Sequence, residues 1–296
     1  MEFMELLFNV VLVVFIISTM VSAGFSTTVE HLSSIFRRIW LVVAVFVVAF
    51  IIRPLVGWGA AELFQLATPA FIAMVLLAAC PGAPFGAKLV MNAKGDIVTG
   101  SVFQVLAASL ASLTFAPTAN LILGAADLGV DISLPVGDLV KTVAFLQLVP
   151  FAVGMAVRHW TPDAAEKWNV TATKLSGQTF VAVLALAILG SWETIIGLVG
   201  SRTILATVVF AGVMVVAGYF IATGNRGTRM SVSLIEPISN SGPAFAAVAI
   251  AFNNDPEILG ATTGIIFVQI IVGTLVASYF GKKTHDAETA EQPVVA

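Results

Sequence analysis

Apolar residues run along this chain in blocks of about twenty, uniform enough that no single wet face stands out. Blocks of that length suit helices that cross a bilayer core of about 30 Å. They fall near residues 4–24, 39–59, 64–92, 97–124, 138–158, 176–199, 203–223, 234–253 and 258–280. The pattern predicts an all-α integral membrane protein of about nine transmembrane helices. Two blocks are interrupted. In the third, the apolar run Phe71–Cys80 meets Pro81, Gly82 and Pro84, with Lys88 just beyond. In the eighth, Glu236-Pro237-Ile238-Ser239-Asn240-Ser241-Gly242-Pro243 precedes the apolar run Ala244–Phe252. A membrane helix is broken only where protein or a polar cavity satisfies the freed backbone groups. Paired interruptions in two halves of a chain point to the binding site of a secondary transporter.

Composition agrees. The 296 residues are 58% hydrophobic and 10% charged, against roughly 25% charged in soluble domains. That leaves no room for an appended soluble domain, so residues 1–296 read as one polytopic unit with a polar tail at 281–296. The single cysteine, Cys80, permits no disulfide within the chain. The first block follows Glu2 and Glu5 and no basic residue. It lacks the basic n-region of a signal peptide and reads as a retained span.

Charge distribution sets the orientation. With the N-terminus outside, the inner loops hold Arg37, Arg38, Lys94, Arg158, Lys167, Lys174, Arg226, Arg229, Lys282 and Lys283, and the outer side only Lys141 and Arg202. Basic residues mark the cytoplasmic loops, so the C-terminus is expected in the cytoplasm and the protein in the cell (inner) membrane. Glu62, Asp127, Asp131, Asp138, Asp255 and Glu257 fall on the outer side. Trp40, Trp58, Trp160 and Trp192 lie near span ends, as an interfacial aromatic belt requires.

Few polar residues lie within spans, and each has a functional and a structural reading. Lys88 either pairs with Glu236 and holds a substrate anion, or snorkels to the inner interface beside Lys94. Glu236 precedes Pro237 and is expected to open the second half-helix, as a proton or cation ligand or as a carboxylate favoured by the helix dipole. Ser239, Asn240 and Ser241 offer short polar groups at that helix start, and also let helices approach closely. Pro84, Phe85 and Gly86 open the other half-helix, where backbone would contact substrate. Helix N-termini favour anions. Arg53, before Pro54, reads first as an arginine snorkelling to the outer interface and second as an attractor of anions. Asn92, Thr99 and Gln147 read as interhelical hydrogen-bonding residues. Asp96, after Lys94-Gly95, reads as a helix start. None of His31, His159 and His285 falls within a span, and no nucleotide-binding loop is present. The chain is therefore expected not to be an enzyme, to need no cofactor and to bind no nucleic acid.

Four pieces resemble the bile acid:sodium symporter family: Cys80-Pro81-Gly82, Ala93-Lys94-Gly95-Asp96 at the family's spacing from it, Glu236 with Asn240-Ser241-Gly242, and Val276-Ala277-Ser278-Tyr279-Phe280. The resemblance implies a nine-span form with two inverted repeats (about 1–124 and 132–280). It also implies a panel domain and a core domain in which two broken helices cross. It further implies sodium coupling, yet the ligand positions differ. The family's Ser-Asn pair falls at Gly86 and Ala87, hydroxyl ligands fall near Gly100 and Gln104, and a glutamine of the second site falls near Ala49. Glu236 lies one residue closer to Asn-Ser-Gly than the family has it. The expected function is secondary transport of a small or amphipathic organic anion across the lipid bilayer, proton-coupled or uncoupled. Lys88 would occupy the space of the missing sodium and pair with Glu236, with Gln104 alongside. The alternatives are a sodium symporter with a rearranged site involving Glu236 and Asn240, or, in another class, a non-transporting sensor or an intramembrane enzyme.

Overall fold

The computed structural model describes residues 2–126, 128–129 and 132–290, with the backbone alone for Glu2 and 285–290. Asp127, Asp131, the side chain of His285 and residues 291–296 of the tail lie outside the described residues. The helices are α1 (Glu2–Ser26), α2 (Val29–Phe36), α3 (Ile39–Val47), α4 (Arg53–Leu63), α5 (Thr68–Ala78), α6 (Pro84–Asn92) and α7 (Ile97–Ala125). They continue with α8 (Val136–Trp160), α9 (Pro162–Gly197), α10 (Arg202–Ile221), α11 (Arg226–Ile235), α12 (Ser241–Phe252) and α13 (Pro256–Ala290). Among the described residues there is no strand. The protein is an α-helical integral membrane protein. Among the described residues, seven helices are long and apolar enough to cross a membrane, with α3 and α4 counted as one. The two remaining predicted blocks are the interrupted pairs α5/α6 and α11/α12.

α3 runs into α4 through one π turn, Val48–Ile52. Pro54 has no N–H to give and its ring crowds the preceding turn. The wider turn absorbs this, and the Arg53 N–H reaches back five residues to the Val48 carbonyl. Such π turns inside helices are frequent at functional sites.

Three boundaries differ from expectation. The eighth block begins at Arg226, not near 234, because α11 is polar in sequence yet buried: Thr228, Ser231 and Ser233 have no exposed surface. Hydropathy cannot find a half-helix whose surroundings are protein rather than lipid. The sixth helix starts at Pro162 rather than near 176, so Lys167 and Lys174 lie on a helix that extends beyond the apolar block. The short α2, capped by Thr28 accepting from the His31 N–H at 3.1 Å, occupies what reads as loop.

The two interrupted pairs cross. α5 packs against α12 and α6 against α11, so each half-helix meets the opposite half of the other pair. The buried apolar residues divide accordingly. One cluster takes in α5 and the start of α12, with much of α1 and α7. The other holds α6 and α11 with α3. Where the breaks meet, the Asn240 N–H donates to the Cys80 carbonyl at 2.8 Å. α1, α8 and α9 pack mainly on one another and form a separate layer beside this crossing. That division positions everything below.

Candidate functional site

α5 is buried from Ala70 to its end. The chain leaves it through Pro81 and Gly82. Gly82 has φ +87°, and a side chain there would sit 2.6 Å from the Gln104 carbonyl oxygen and 2.8 Å from the Ala108 Cα. Only glycine combines that left-handed backbone with so close an approach to α7. Pro84 then starts α6 at a position where its missing N–H costs nothing. Gln104 is 5% exposed and donates from Nε2 to the Gly82 carbonyl at 3.3 Å. It thus ties the break to α7.

In the second break, α11 ends at Ile235 and Glu236 is its C-terminal cap. The expectation that Glu236 opens the second half-helix is corrected: it closes the first, because α12 starts five residues later, at Ser241. There Asn240 is the N-cap, its Oδ1 accepting from the Gly242 N–H at 3.3 Å. Gln269 on α13 accepts from the Ser239 N–H at 2.9 Å. Sequence reasoning gave no sign of Gln269, since it sits in a plain apolar block.

The largest correction concerns Arg53. It does not snorkel: its side chain is wholly buried at the crossing. Nε donates to the Glu236 carbonyl at 3.1 Å, and Nη1 to the carbonyls of Leu77 at 2.9 Å and Ala78 at 2.8 Å. Nη2 donates to Ser239 Oγ at 2.7 Å. The guanidinium also lies over the Phe210 ring, 5.4 Å from its centre. Snorkelling relieves a charge that has no partners. Here the C-terminal carbonyls of α5 and the cap of α11 supply them, so the charge can stay inside. No ion pair joins Lys88 to Glu236. Lys88 is exposed on α6, while Glu236 is 2% exposed and has a buried Oε2 without a hydrogen-bond partner. The expected Lys88–Glu236 charge pair is absent because α6 carries Lys88 away from the crossing.

A cavity of about 310 Å³ lies between α1 and α9 on one side and α6, α7, α13 and both breaks on the other. Of the predicted site residues, Pro84, Phe85, Lys88, Gln104, Ser239 and Ser241 line it. Gly86 does not: it faces Ile235, whose Cα a side chain at 86 would meet at 3.0 Å. Glu236 does not line it either. Asn240 lines instead a small cavity of about 10 Å³ with Gln147 and Gly242, separated from the large one by Phe15 and Thr19 on α1, which line both. Gln147, expected to bond between helices, is buried with Oε1 unpartnered. Sequence reasoning missed the opposite wall, where Thr19, Ser22 and Ser26 of α1 face Thr173 and Ser176 of α9. Thr19 bonds Ser176 at 2.6 Å and Ser22 bonds Thr173 at 2.7 Å. Among the described residues, Lys88 is the one ionisable residue in the lining, and no carboxylate lines the cavity.

With the Arg53 guanidinium in place, the crossing does not suit a sodium ion. Gly86 and Ala87 carry no side-chain oxygen, and hard cations need oxygen ligands. The carbonyls that converge there are already bonded to Arg53.

Comparison with known proteins gives two matches. The profile of the sodium bile acid symporter family matches residues 13–196, more than half of the chain, which includes the first break and ends before the second. A probable chloroplastic sodium/metabolite cotransporter of Oryza sativa subsp. japonica is 21% identical over 238 residues, covering 79% of this chain. The chain spans about half the length of that relative, 55% of it.

Proposed function

Because the chain belongs to the sodium bile acid symporter family, we propose that it is a secondary transporter of a small organic anion. The anion binds in the cavity beside the crossing. One observation carries this reading: among the described residues, the cavity presents one cation, Lys88, several hydroxyls and no acid. An anion entering it meets favourable charge and no repulsion. Ser239 adds to this. Its oxygen accepts from Arg53, which leaves its own O–H proton to donate into the cavity it lines. The N-terminal turns of α6 and α12 border the same space and favour negative charge. A volume of about 310 Å³ sits at the low end of ligand pockets, roughly 300–1,000 Å³. A compact anion suits it better than a bulky amphipathic one.

The crossing pairs, as the third and eighth passes, add two to the seven long helices, giving nine spans in two inverted repeats, with the N-terminus outside and the C-terminus on the cytoplasmic side of the cell membrane. The same order of helices supports the repeats: an unbroken span, a broken pair and an unbroken span occur twice, as α3–α4, α5/α6, α7 and as α10, α11/α12, α13. Alternating access is movement of α1, α8 and α9 against the rest, which would open the small Gln147 cavity as the large one closes. Transport is proton-coupled or uncoupled. The sodium symporter with a rearranged site is disfavoured because Ser239 Oγ and the Glu236 carbonyl already serve Arg53.

Uptake into proteoliposomes tests the reading. A panel of radiolabelled small carboxylates is offered with a sodium gradient, a pH gradient or neither. At least one carboxylate is expected to accumulate in a protein-dependent way that ignores the sodium gradient, and Lys88→Ala should reduce its affinity by about tenfold, the factor that corresponds to about 1.4 kcal/mol. Uptake that follows the sodium gradient, or that proceeds unchanged in Lys88→Ala, would contradict it.

A further inference from the structure

Where α5 and α11 end, their last carbonyls are not used up by their own helices, though the Leu77 carbonyl also accepts from the Cys80 N–H at 3.1 Å, and helix C-termini carry partial negative charge. Here two such ends converge on one point inside a membrane protein. Leu77, Ala78 and Glu236 offer carbonyl oxygens, Ser239 offers Oγ, and the Glu236 carboxylate is buried with Oε2 unpartnered. A ring of inward-pointing oxygens of this kind is a cation cage by its chemistry. It is occupied by a covalently attached cation, Arg53, which follows directly on the π turn at Val48–Ile52.

We propose that Arg53 is the resident cation of the crossing: its guanidinium fills an oxygen cage that, emptied by mutation, takes up a sodium ion. The inference deepens the function proposed above and rests on that reading's claim that sodium does not drive transport. A tethered guanidinium cannot leave with the substrate. It gives the two half-helices a permanent counter-charge, holds Glu236 and Ser239 in register, and makes the crossing indifferent to the salt outside. Arg suits the task where Lys would be weaker, because its planar fork serves acceptors on three segments at once and stacks on Phe210.

The test is thermal stability of the protein without substrate, in sodium, potassium or choline chloride at one ionic strength. Wild type, Arg53→Gln and Arg53→Lys are compared as fluorescent fusions in heated detergent extracts. A ligand that binds only the folded state raises its stability with concentration. Wild type is expected to melt identically in the three salts. Arg53→Gln should melt lower in potassium and choline and recover by several degrees in sodium alone. Arg53→Lys, which keeps the charge, should remain indifferent to the salt. If Arg53→Gln is absent from membranes while Arg53→Lys is present, the need for a cation stands. Equal loss of both variants, identical behaviour of both in the three salts, or sodium-specific stabilisation of the wild type would each overturn the proposal. No substrate enters these melts, so they stand or fall apart from the carboxylate uptake measurements.

Discussion

A charge is stable inside a membrane protein only when its hydrogen bonds are met, and Arg53 meets four of its own with acceptors 24 to 186 residues away along the chain. Three of those acceptors are main-chain carbonyls, which any residue could supply. No side-chain pattern therefore announces them, and an arginine before a proline near mid-span reads as one that reaches for water. Lys88 misleads in the opposite way. Its position after Gly86-Ala87 suggests the crossing, but one helical turn carries it into the cavity. Gly82 was legible, since only a glycine flanked by prolines suits so sharp a break. Gly82→Ala is expected to cost at least about 1–3 kcal/mol from backbone strain alone, and more from the contact with α7. A melting temperature within a degree of wild type in extracts of Gly82→Ala membranes would refute this.

At the scale of elements, both breaks could be read from Pro and Gly, and their crossing follows from pairing α5 with α12 and α6 with α11. The start of α11 could not be read, because Thr228 and Ser231 find partners in Arg38 and Asp96, far off in sequence. Asp96 caps α7 by accepting from the Thr99 N–H at 3.0 Å, and its Oδ2 accepts from Thr228 at 3.3 Å and lies 3.8 Å from Arg38. Ser231 donates to the Asp96 carbonyl at 2.8 Å. One carboxylate thus joins the α2–α3 corner, the start of α7 and the start of α11. The Arg38 contact is partly exposed and counts for little; the cap and the Thr228 bond count for more. Asp96→Ala should destabilise the protein by about 1–2 kcal/mol, the usual worth of a helix cap, whereas Asp96→Asn should keep most of it. Equal melting of the two variants in detergent would mean that the cap carries no weight.

For the whole molecule, apolar block lengths conveyed the membrane fold, and the resemblance conveyed the crossing. What neither conveyed is how the structure divides its charges. The cavity wall between α1 and α9 is built of hydroxyls, the cavity's cation is Lys88, and the crossing's cation is Arg53. In the transport proposed above, separate cations for substrate and scaffold would let an anion come and go without disturbing the charge balance of the half-helices. The central claim is that this crossing carries its cation within the chain. Equilibrium binding of radioactive sodium to the purified protein measures it directly, with Arg53→Gln alongside. The account predicts no saturable sodium binding to the wild type and saturable binding to Arg53→Gln. Saturable binding to the wild type, competed by unlabelled sodium and not by potassium, would contradict it.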